Sequence, residues 1–237
     1  MANSPKISVC TPIWNRNHFI PLMIKNLKCQ NYPHDKLTWV IDDDGDTPLI
    51  RDGKEMSRLT QALAPIKIRY HYYKTRRTIG EKRNNIARLC PDPIFCNMDS
   101  DDLYSPHYIG YSLKELTTKN AGLCGSKDMI FVYPFHNFSM SAIKCRHLIQ
   151  IHENTMMMTK KYFNASKGFQ KTSRGEGAAL IGRSPGNVIH ISIQNLVVTV
   201  CHGKGNIVNK EMFRNKRIKL SIKAEDKLLL NSILNIA

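Results

Sequence analysis

Short apolar runs alternate with helix-like spacings along the first part of this chain. Four runs are apolar or rich in β-prone residues and predict strands at 6–10, 37–41, 66–73 and 94–98. Three segments carry their apolar residues at helical spacing and predict helices at 18–29, 57–63 and 79–89. Because strand and helix alternate, we expect an α/β fold with a central, mostly parallel sheet flanked by helices, as in Rossmann-like proteins.

The pattern changes after Tyr104. The elements predicted next are a helix at 106–116, two short strands within 122–134, a strand at 154–159 and a helix or loop at 162–169. The apolar residues within 140–151 fit neither the helical spacing nor the alternation of a strand. Residues 188–201 are rich in β-branched side chains around one turn near Gln194, so we expect a smaller antiparallel element in this half. The tail is basic and then amphipathic, which predicts a final helix around 228–234.

The length of 237 residues fits one domain, and no linker or internal repeat divides the sequence. We therefore expect a single domain over residues 1–237, built from two halves at 1–104 and 105–237. Thirty-five Lys and Arg against nineteen Asp and Glu give a formal charge of +16. Such a charge attracts nucleic acid, an anionic membrane or a phosphate-bearing substrate, or it only keeps the surface soluble. Charge alone does not choose among these.

The cysteines and the N-terminus bear on the compartment. Seven cysteines without a C-x-x-C pair predict reduced thiols rather than a zinc site or a disulfide framework. Residues 1–6 lack the charged-then-apolar pattern of a signal peptide, and no run approaches the roughly 18 apolar residues of a membrane span. We expect a soluble, cytoplasmic protein.

Two acidic clusters follow directly after predicted strands. The strand at 94–98 runs into Asp99-Ser100-Asp101-Asp102, and the strand at 37–41 runs into Asp42-Asp43-Asp44. Close carboxylates repel one another, and burying them unpaired costs roughly several kcal/mol or more. A shared divalent cation would relieve this repulsion, while the alternative is a solvated turn that caps the next helix. Since ligands bind beyond the carboxyl ends of parallel strands, the position favours the cation.

Four stretches in order resemble the motifs of family 2 glycosyltransferases of the GT-A fold. They are Ser8–Arg16, Trp39–Gly45, Gly80–Asn84 and Met98–Tyr104, and the forms of the last two are similar to compact members from bacteria and large DNA viruses. The resemblance implies a metal-dependent, inverting transfer of a sugar from a nucleotide-sugar donor, UDP-linked, to a hydroxyl of a glycan or other acceptor. The implied cofactor is Mn²⁺ or Mg²⁺.

The resemblance also implies roles for individual residues. Asp99-Ser100-Asp101 is similar to the family's DxD motif, with Asp101 or Asp102 reaching the metal and Asp99 at the metal or nearer the ribose. His202 resembles the late histidine that completes the metal or diphosphate site, although a lone histidine can also be structural. The other donor-binding positions that the resemblance implies are Pro12, Trp14 against the base, Asn15, Arg16, Asp43 and Asp44 at the uracil and ribose, and Lys82 and Arg83 near the phosphates.

The catalytic base predicted by this resemblance is Glu176. It lies in Ser173–Ala178, where the family keeps an acidic residue before a helix, and such a base contributes roughly 10²–10⁴-fold in rate. The alternative is that Glu176 only stabilises a helix N-terminus. Asp128 and Glu153 are weaker candidates for the same role.

Two other functions compete with sugar transfer. A nucleotidyltransferase uses a related sheet, but it carries a glycine-rich basic loop where this chain has Thr11–Arg16. A basic nucleic-acid-binding module would exploit the positive charge, but the sequence has none of the zinc-finger, RRM or KH signatures. We therefore expect no specific nucleic-acid partner. The basic tail at Arg214–Lys223 predicts peripheral contact with an anionic membrane or an acidic glycan.

Overall fold

A computed structural model describes residues 4–203 and 213–236. Within these ranges the strands are β1 (Ile7–Ile13), β2 (Leu37–Asp43), β3 (Lys67–Tyr72), β4 (Ile94–Asn97), β5 (Leu103–Tyr104), β6 (Leu123–Gly125), β7 (Met129–Tyr133), β8 (Ser139–Ile143), β9 (Met157–Thr159), β10 (Val188–His190) and β11 (Val197–Val200). The helices are α1 (Ile20–Lys28), α2 (Gly53–Leu63), α3 (Ile79–Leu89), α4 (Tyr108–Thr118), α5 (Lys160–Ala165), α6 (Glu176–Gly182) and α7 (Ala224–Leu234).

The larger sheet has the strand order β10-β6-β9-β4-β1-β2-β3. Strands β4, β1, β2 and β3 pair in parallel, as the alternation of strand and helix predicted. Strand β9 lies antiparallel between β4 and β6, and β10 pairs in parallel with β6. The predicted fold class, a mostly parallel sheet flanked by helices, is confirmed.

Helices cover both faces of this sheet because neighbouring strand residues point to opposite sides. In β1, Val9 belongs to the apolar cluster that contains residues of α1, α2, α4 and α7, whereas Cys10 belongs to the cluster with residues of α3, α5 and α6. Trp39 and Val40 divide in the same way in β2. The central strands are therefore buried on both sides, which explains their nearly continuous apolar sequences.

The smaller sheet has the order β5-β11-β7-β8 and is mostly antiparallel. Strands β5 and β7 pair antiparallel with β11 and β8 respectively, while β11 and β7 pair in parallel. Strand β5 follows directly after Asp102, and β11 ends two residues before His202. This sheet therefore brings the end of the β4 loop and the late histidine to the same place.

Some boundaries differ from the sequence-based prediction for local reasons. Helix α2 begins at Gly53, four residues before the predicted start, because the Asp52 carboxylate accepts hydrogen bonds from the backbone N–H groups of Lys54 and Glu55, both at 2.9 Å. The β-rich stretch at 188–201 divides into β10 and β11, which belong to different sheets. No helix in the described ranges is long and apolar enough to cross a membrane.

Candidate active site

A cavity of about 750 Å³ lies beyond the carboxyl ends of β1 and β4. Its lining includes Pro12, Arg16 and Asp101 from the first half of the chain, and Glu153 and Glu176 from the second. The cavity therefore lies at the edge of the sheet where α/β proteins bind ligands. It brings together many of the residues predicted for the site; those that line it are Pro12, Trp14, Arg16, Lys82, Arg83, Asp99, Ser100, Asp101, Asp102 and Glu176.

The acidic tip, residues Asp99–Asp102, is held in shape by hydrogen bonds from neighbouring elements. The backbone N–H of Asp99 donates to the Tyr104 hydroxyl at 2.8 Å. Asp102 is buried and accepts from the Val200 N–H at 3.0 Å and from the Asn154 amide at 2.6 Å. Asp102 thus ties the tip to β11, while the side chains of Asp99 and Asp101 remain 25% and 18% exposed.

Asp101 contacts the predicted late histidine. His202 Nε2 lies 2.9 Å from an Asp101 carboxylate oxygen, and Arg16 Nε lies 3.4 Å from the same oxygen. His202 is buried and packs against the Phe19 ring, with a centroid distance of 5.0 Å. The fold therefore places an imidazole beside a carboxylate that lines the cavity, although the two residues are 101 positions apart in the sequence.

The donor set at the tip fits a divalent cation that shares its coordination with a substrate. Among the described residues, no three His, Cys, Asp or Glu side chains form a complete metal cage. Mg²⁺ is usually held by one or two carboxylates plus substrate phosphates, and Mn²⁺ also accepts such oxygen ligands. Asp99 and Asp101 carry carboxylate oxygens of this kind, and the His202 imidazole lies beside Asp101.

Arg83 joins the acidic tip to Glu176. It lies in the first half of α3, where its Nη2 contacts both Asp99 carboxylate oxygens at 2.9 and 3.0 Å and its Nε donates to Glu176 at 3.1 Å. Although burial opposes the charge, the carboxylates of Asp99, Glu176 and Glu153 raise the pKa of Arg83. Within the described residues, its Nη1 has no hydrogen-bond partner. A buried cation thus links the two acidic parts of the cavity.

Glu176 is the first residue of α6 and is almost completely buried. Burial raises its pKa to about 7, the Glu153 carboxylate adds to this rise, and Arg83 opposes it. Glu153 accepts a hydrogen bond from the Gly177 N–H at 2.9 Å. A Cβ on Gly177 would lie 2.7 Å from the end of the Met156 side chain and 3.0 Å from Glu153, so a larger residue there would have to displace Met156. The result is a carboxyl group that changes protonation near neutral pH.

The inner acidic cluster, Asp42–Asp44, is paired within the protein. Asp42 contacts Arg77 and accepts from the Asn85 amide at 2.7 Å. Burial raises the pKa of Asp42, and Asn85 and Arg77 oppose this rise. Asp43 accepts from the Tyr70 hydroxyl and from two backbone N–H groups, at 2.7 to 2.9 Å. The Asp43 side chain, which the sequence predicted to contact the nucleoside, therefore already holds the loop after β2 through bonds within the protein.

Asp44, the last member of the inner acidic cluster, pairs with Lys82. The Lys82 ammonium lies 2.7 Å from Asp44 Oδ1 and 2.8 Å from the backbone carbonyl of Ile13, and burial lowers the pKa of Lys82. Asp44 also accepts from the Arg77 N–H at 2.7 Å. The basic pair Lys82-Arg83 is thus divided, with Lys82 on the inner cluster and Arg83 on the acidic tip.

Trp14 lines the cavity, and its neighbour Asn15 does not. The Arg76 guanidinium lies over the Trp14 ring, 3.6 Å from the centroid. Asn15 has a positive φ of 52° and exchanges two hydrogen bonds of 2.8 Å with Asp46, which connect the loops after β1 and β2. Trp14 therefore presents an aromatic surface to the cavity with a cation already stacked on it.

The sequence did not reveal Arg76 and Arg77 as site residues, since the stretch at 74–78 was interpreted only as a basic loop. The signal that could have revealed them was charge complementarity, because two arginines precede α3 while Asp42–Asp44 lie at the end of β2 and directly after it. Of the two weaker candidates for the base, Glu153 lines the cavity. Asp128 lies outside the cavity lining, with a carboxylate oxygen 3.9 Å from His190 Nε2.

Comparisons with known proteins agree with this architecture. The model of glycosyl transferase family 2 matches residues 8–188. No curated protein matches the chain. The mannosyltransferase PcManGT from Pyrobaculum calidifontis, solved with GDP-Man and Mn²⁺, has a TM-score of 0.65 at 18% identity, and the match covers 86% of this chain and 59% of that one.

Two structures of S. aureus TarS 1–349 are also similar. The complex with UDP has a TM-score of 0.65 at 14% identity, with 83% of this chain and 60% of that one covered. The complex with UDP-GlcNAc has a TM-score of 0.61 at 13% identity, with 97% and 67% covered. This chain thus spans about three fifths of PcManGT and of the UDP complex, and these likenesses show a shared GT-A fold. Since the family model covers most of the chain, the protein belongs to glycosyl transferase family 2.

Proposed function

We propose that this protein is a metal-dependent, inverting glycosyltransferase that moves a sugar from a UDP-linked donor to an acceptor hydroxyl. One observation carries the proposal: the acidic tip and Glu176 line the same cavity, and Arg83 bonds to both. The solved complexes of similar proteins with GDP-Man and Mn²⁺, UDP and UDP-GlcNAc support a nucleotide-sugar donor.

The donor is proposed to lie along the charged side of the cavity. Trp14 with Arg76 offers a stacked surface for the base, and Arg16, Ser100 and Asp101 line the same cavity. Arginines in this lining attract a diphosphate, because guanidinium groups pair two phosphate oxygens at once. Contacts of the nucleoside with Asp43, Asp44 and Asn15 stay predictions from the family resemblance.

Mn²⁺ or Mg²⁺ is proposed to be held by Asp101, with Asp99 and His202 as further ligands. Such a cation, when bound, stabilises negative charge on the departing diphosphate. Arg16, beside Asp101, adds a fixed positive charge at the same place. Arg83 holds Asp99 and keeps the tip oriented toward the cavity.

Glu176 is proposed to be the general base. Its ionised carboxylate takes the proton of the acceptor hydroxyl while that oxygen bonds to the anomeric carbon of the donor. The bond from this carbon to the diphosphate oxygen breaks on the opposite side, UDP leaves with the electron pair, and the configuration inverts. A pKa of about 7 suits this role, and the rate is expected to fall as the pH drops below about 7.

The two halves of the chain are proposed to form one GT-A domain with separate tasks. Residues 1–104 supply the donor side, and residues 105–237 supply the base and the acceptor side. A glycan or another hydroxyl compound is the proposed acceptor. A cytoplasmic location and membrane contact through Arg214–Lys223 stay predictions.

A screen of UDP- and GDP-sugars with Mn²⁺ tests the function, with donor hydrolysis and UDP-sugar binding as readouts. We expect Glu176→Gln to retain binding and to lose roughly 10²–10⁴-fold in turnover. Asp128→Asn, a carboxyl change outside the cavity lining, is the matched control and should behave like the wild type. Turnover that survives in Glu176→Gln would contradict the role of Glu176, and wild-type protein that binds no nucleotide sugar would contradict the function.

Release of pyrophosphate from a nucleoside triphosphate would indicate a nucleotidyltransferase instead.

A further inference from the structure

One side of the catalytic cavity is apolar. We call it the apolar wall; it consists of Met129, Phe131, Ile143, Ile149 and Phe213. Strands β7 and β8 and the turn at Leu148–Gln150 supply most of it. The acidic tip and Arg83 line the same cavity, so its lining combines charged and apolar parts.

Four of the five residues of the apolar wall, all except Ile149, belong to a small hydrophobic cluster of their own. Phe131 is buried in this cluster, and Met129, Ile143 and Phe213 pack around it while remaining partly exposed. The rings of Phe131 and Phe213 stack at 5.3 Å with an interplanar angle of 9°. The cluster is separate from the two that cover the larger sheet. Its partly exposed members all line the cavity, so the cluster presents apolar surface to whatever the cavity binds.

Ile149 also presents apolar surface to the cavity and is more exposed than most large hydrophobic residues. Its side chain is among the exposed large hydrophobic residues, 47% accessible, and it lines the cavity. Its polar neighbour Gln150 is bonded back to the chain, because its side-chain oxygen accepts from the His147 N–H at 3.0 Å. The turn therefore places an exposed apolar side chain in the cavity lining beside Gln150, whose side-chain oxygen is already bonded within the turn.

A hydrophilic glycan is a poor match for this surface. Sugar hydroxyls that leave water need hydrogen-bond partners, and each one left without a partner costs roughly 1–3 kcal/mol. The side chains of the apolar wall offer none, apart from the weak thioether of Met129. An alkyl or aryl group gains on this wall in proportion to the area that it removes from water.

We propose that the apolar wall binds the body of the acceptor, and that the acceptor is an amphiphile: a hydroxyl-bearing polar head attached to an alkyl or aryl group. The inference rests on the proposed function, because the acceptor hydroxyl must reach Glu176 in this same cavity. The donor occupies the charged side, and the acceptor body occupies the apolar wall. Both ligands therefore bind at the same time.

Binding of two simple probes tests the acceptor class. The probes are octyl glucoside, kept below its micelle concentration, and methyl glucoside, which carries the same head without the chain. Calorimetry in the presence of Mn²⁺ and UDP measures both affinities. We expect the octyl compound to bind at least about tenfold more tightly, because several CH₂ groups leave water.

Two neighbouring exposed residues provide matched variants. Ile149→Ser removes part of the apolar wall, whereas Leu148→Ser makes the same kind of change at a residue outside the cavity lining, 39% accessible. We expect octyl glucoside to bind roughly fivefold more weakly to Ile149→Ser and unchanged to Leu148→Ser. Neither change disturbs a buried side chain, so folding should persist in both, as thermal melts can check.

The outcomes separate the acceptor class from the proposed function. Equal affinities for the two glucosides, equal losses in the two variants, or displacement of octyl glucoside by UDP would each overturn the amphiphile inference while UDP binding continues. Absence of Mn²⁺-dependent UDP binding in the wild type would instead overturn the proposed function, and the acceptor role of the wall with it. Simultaneous binding of UDP and octyl glucoside, weakened only by Ile149→Ser, supports the inference.

Discussion

The two acidic clusters of this protein have similar sequences and similar positions, yet they differ in how far their carboxylates are exposed. Both follow parallel strands at the same edge of the sheet. In the inner acidic cluster the side chains of Asp42 and Asp44 are 0% exposed. In the acidic tip the side chains of Asp99 and Asp101 are 25% and 18% exposed and line the cavity.

The difference comes from the side chains that the fold places against the carboxylates of each cluster. Arg77, Lys82 and Tyr70 bond to the inner acidic cluster, so its charge is used to hold the loop after β2. At the acidic tip, Arg83 contacts Asp99 and His202 contacts Asp101, yet both carboxylates remain partly exposed and line the cavity. The acidic tip is thus more accessible to a ligand than the inner acidic cluster.

Removal of a tip carboxylate is expected to have the largest effect. Asp101→Asn should lower sugar transfer by roughly 10²–10³-fold, because charge on the leaving diphosphate loses its stabilisation. The free energy of unfolding should change little. Initial rates with a UDP-sugar and Mn²⁺ measure the first effect, and urea denaturation measures the second. Asp35→Asn, an exposed carboxyl change, is the control, and equal activity of the two variants would contradict the role of the tip.

Removal of an inner carboxylate should act on stability instead. Asp43→Ala leaves the Tyr70 hydroxyl and the N–H groups of Gly45 and Leu49 without their acceptor, and should cost roughly 3 kcal/mol in the free energy of unfolding. Urea denaturation followed by circular dichroism measures this loss. A variant as stable as the wild type would show that the cluster does not hold the loop.

Ionisation of Glu176 should lower the free energy of unfolding, whereas the carboxylates of the inner acidic cluster should raise it. Its pKa is raised from an ordinary value near 4.5 to about 7, so the stability linked to its neutral form is lost as the pH rises between these values. Glu176→Gln stays neutral and should be more stable than the wild type at pH 8 by about 1–3 kcal/mol. At pH 4.5 the two proteins should be nearly equal. Thermal melts across this range measure the difference, and a pH-independent difference would contradict it.

Substitution of two adjacent arginines is expected to have the smallest effects, with one change acting on UDP binding and the other on stability. Arg76 stacks on Trp14 in the cavity, so Arg76→Ala should weaken UDP binding by about two- to fivefold and leave stability unchanged. Arg77 pairs with buried Asp42, so Arg77→Ala should lower stability. Calorimetry with UDP and thermal melts distinguish them. Loss of stability in Arg76→Ala together with loss of UDP binding in Arg77→Ala would contradict the assignment of Arg76 to the cavity and of Arg77 to the inner acidic cluster.

Features fixed by local sequence were predictable. Helix α3 occupies 79–89 as predicted, and its start is set within four residues by Thr78 and Glu81, which form a capping box. The apolar runs before both acidic clusters likewise indicated buried strands. These signals sufficed for the α/β fold and for the edge of the sheet that carries the site.

Which carboxylates reach the cavity depended on contacts that no local pattern contains. Arg77 reaches Asp42 across 35 residues, and Arg83 reaches Glu176 across 93. The apolar wall also depends on β8, in a region at 140–151 whose pattern fitted neither period. The sequence therefore identified candidate groups, while their pairing required the tertiary fold.

Binding of Mn²⁺ to the acidic tip tests the central claim most directly, with free Mn²⁺ measured by electron paramagnetic resonance during titration. We predict that the wild type binds about one Mn²⁺ per chain when UDP is present, because one or two carboxylates share the ion with the diphosphate. Asp101→Asn should lose this binding, and Asp35→Asn should keep it. Mn²⁺ binding that is equal in Asp101→Asn and the wild type would contradict the claim that the tip holds the cation of the donor.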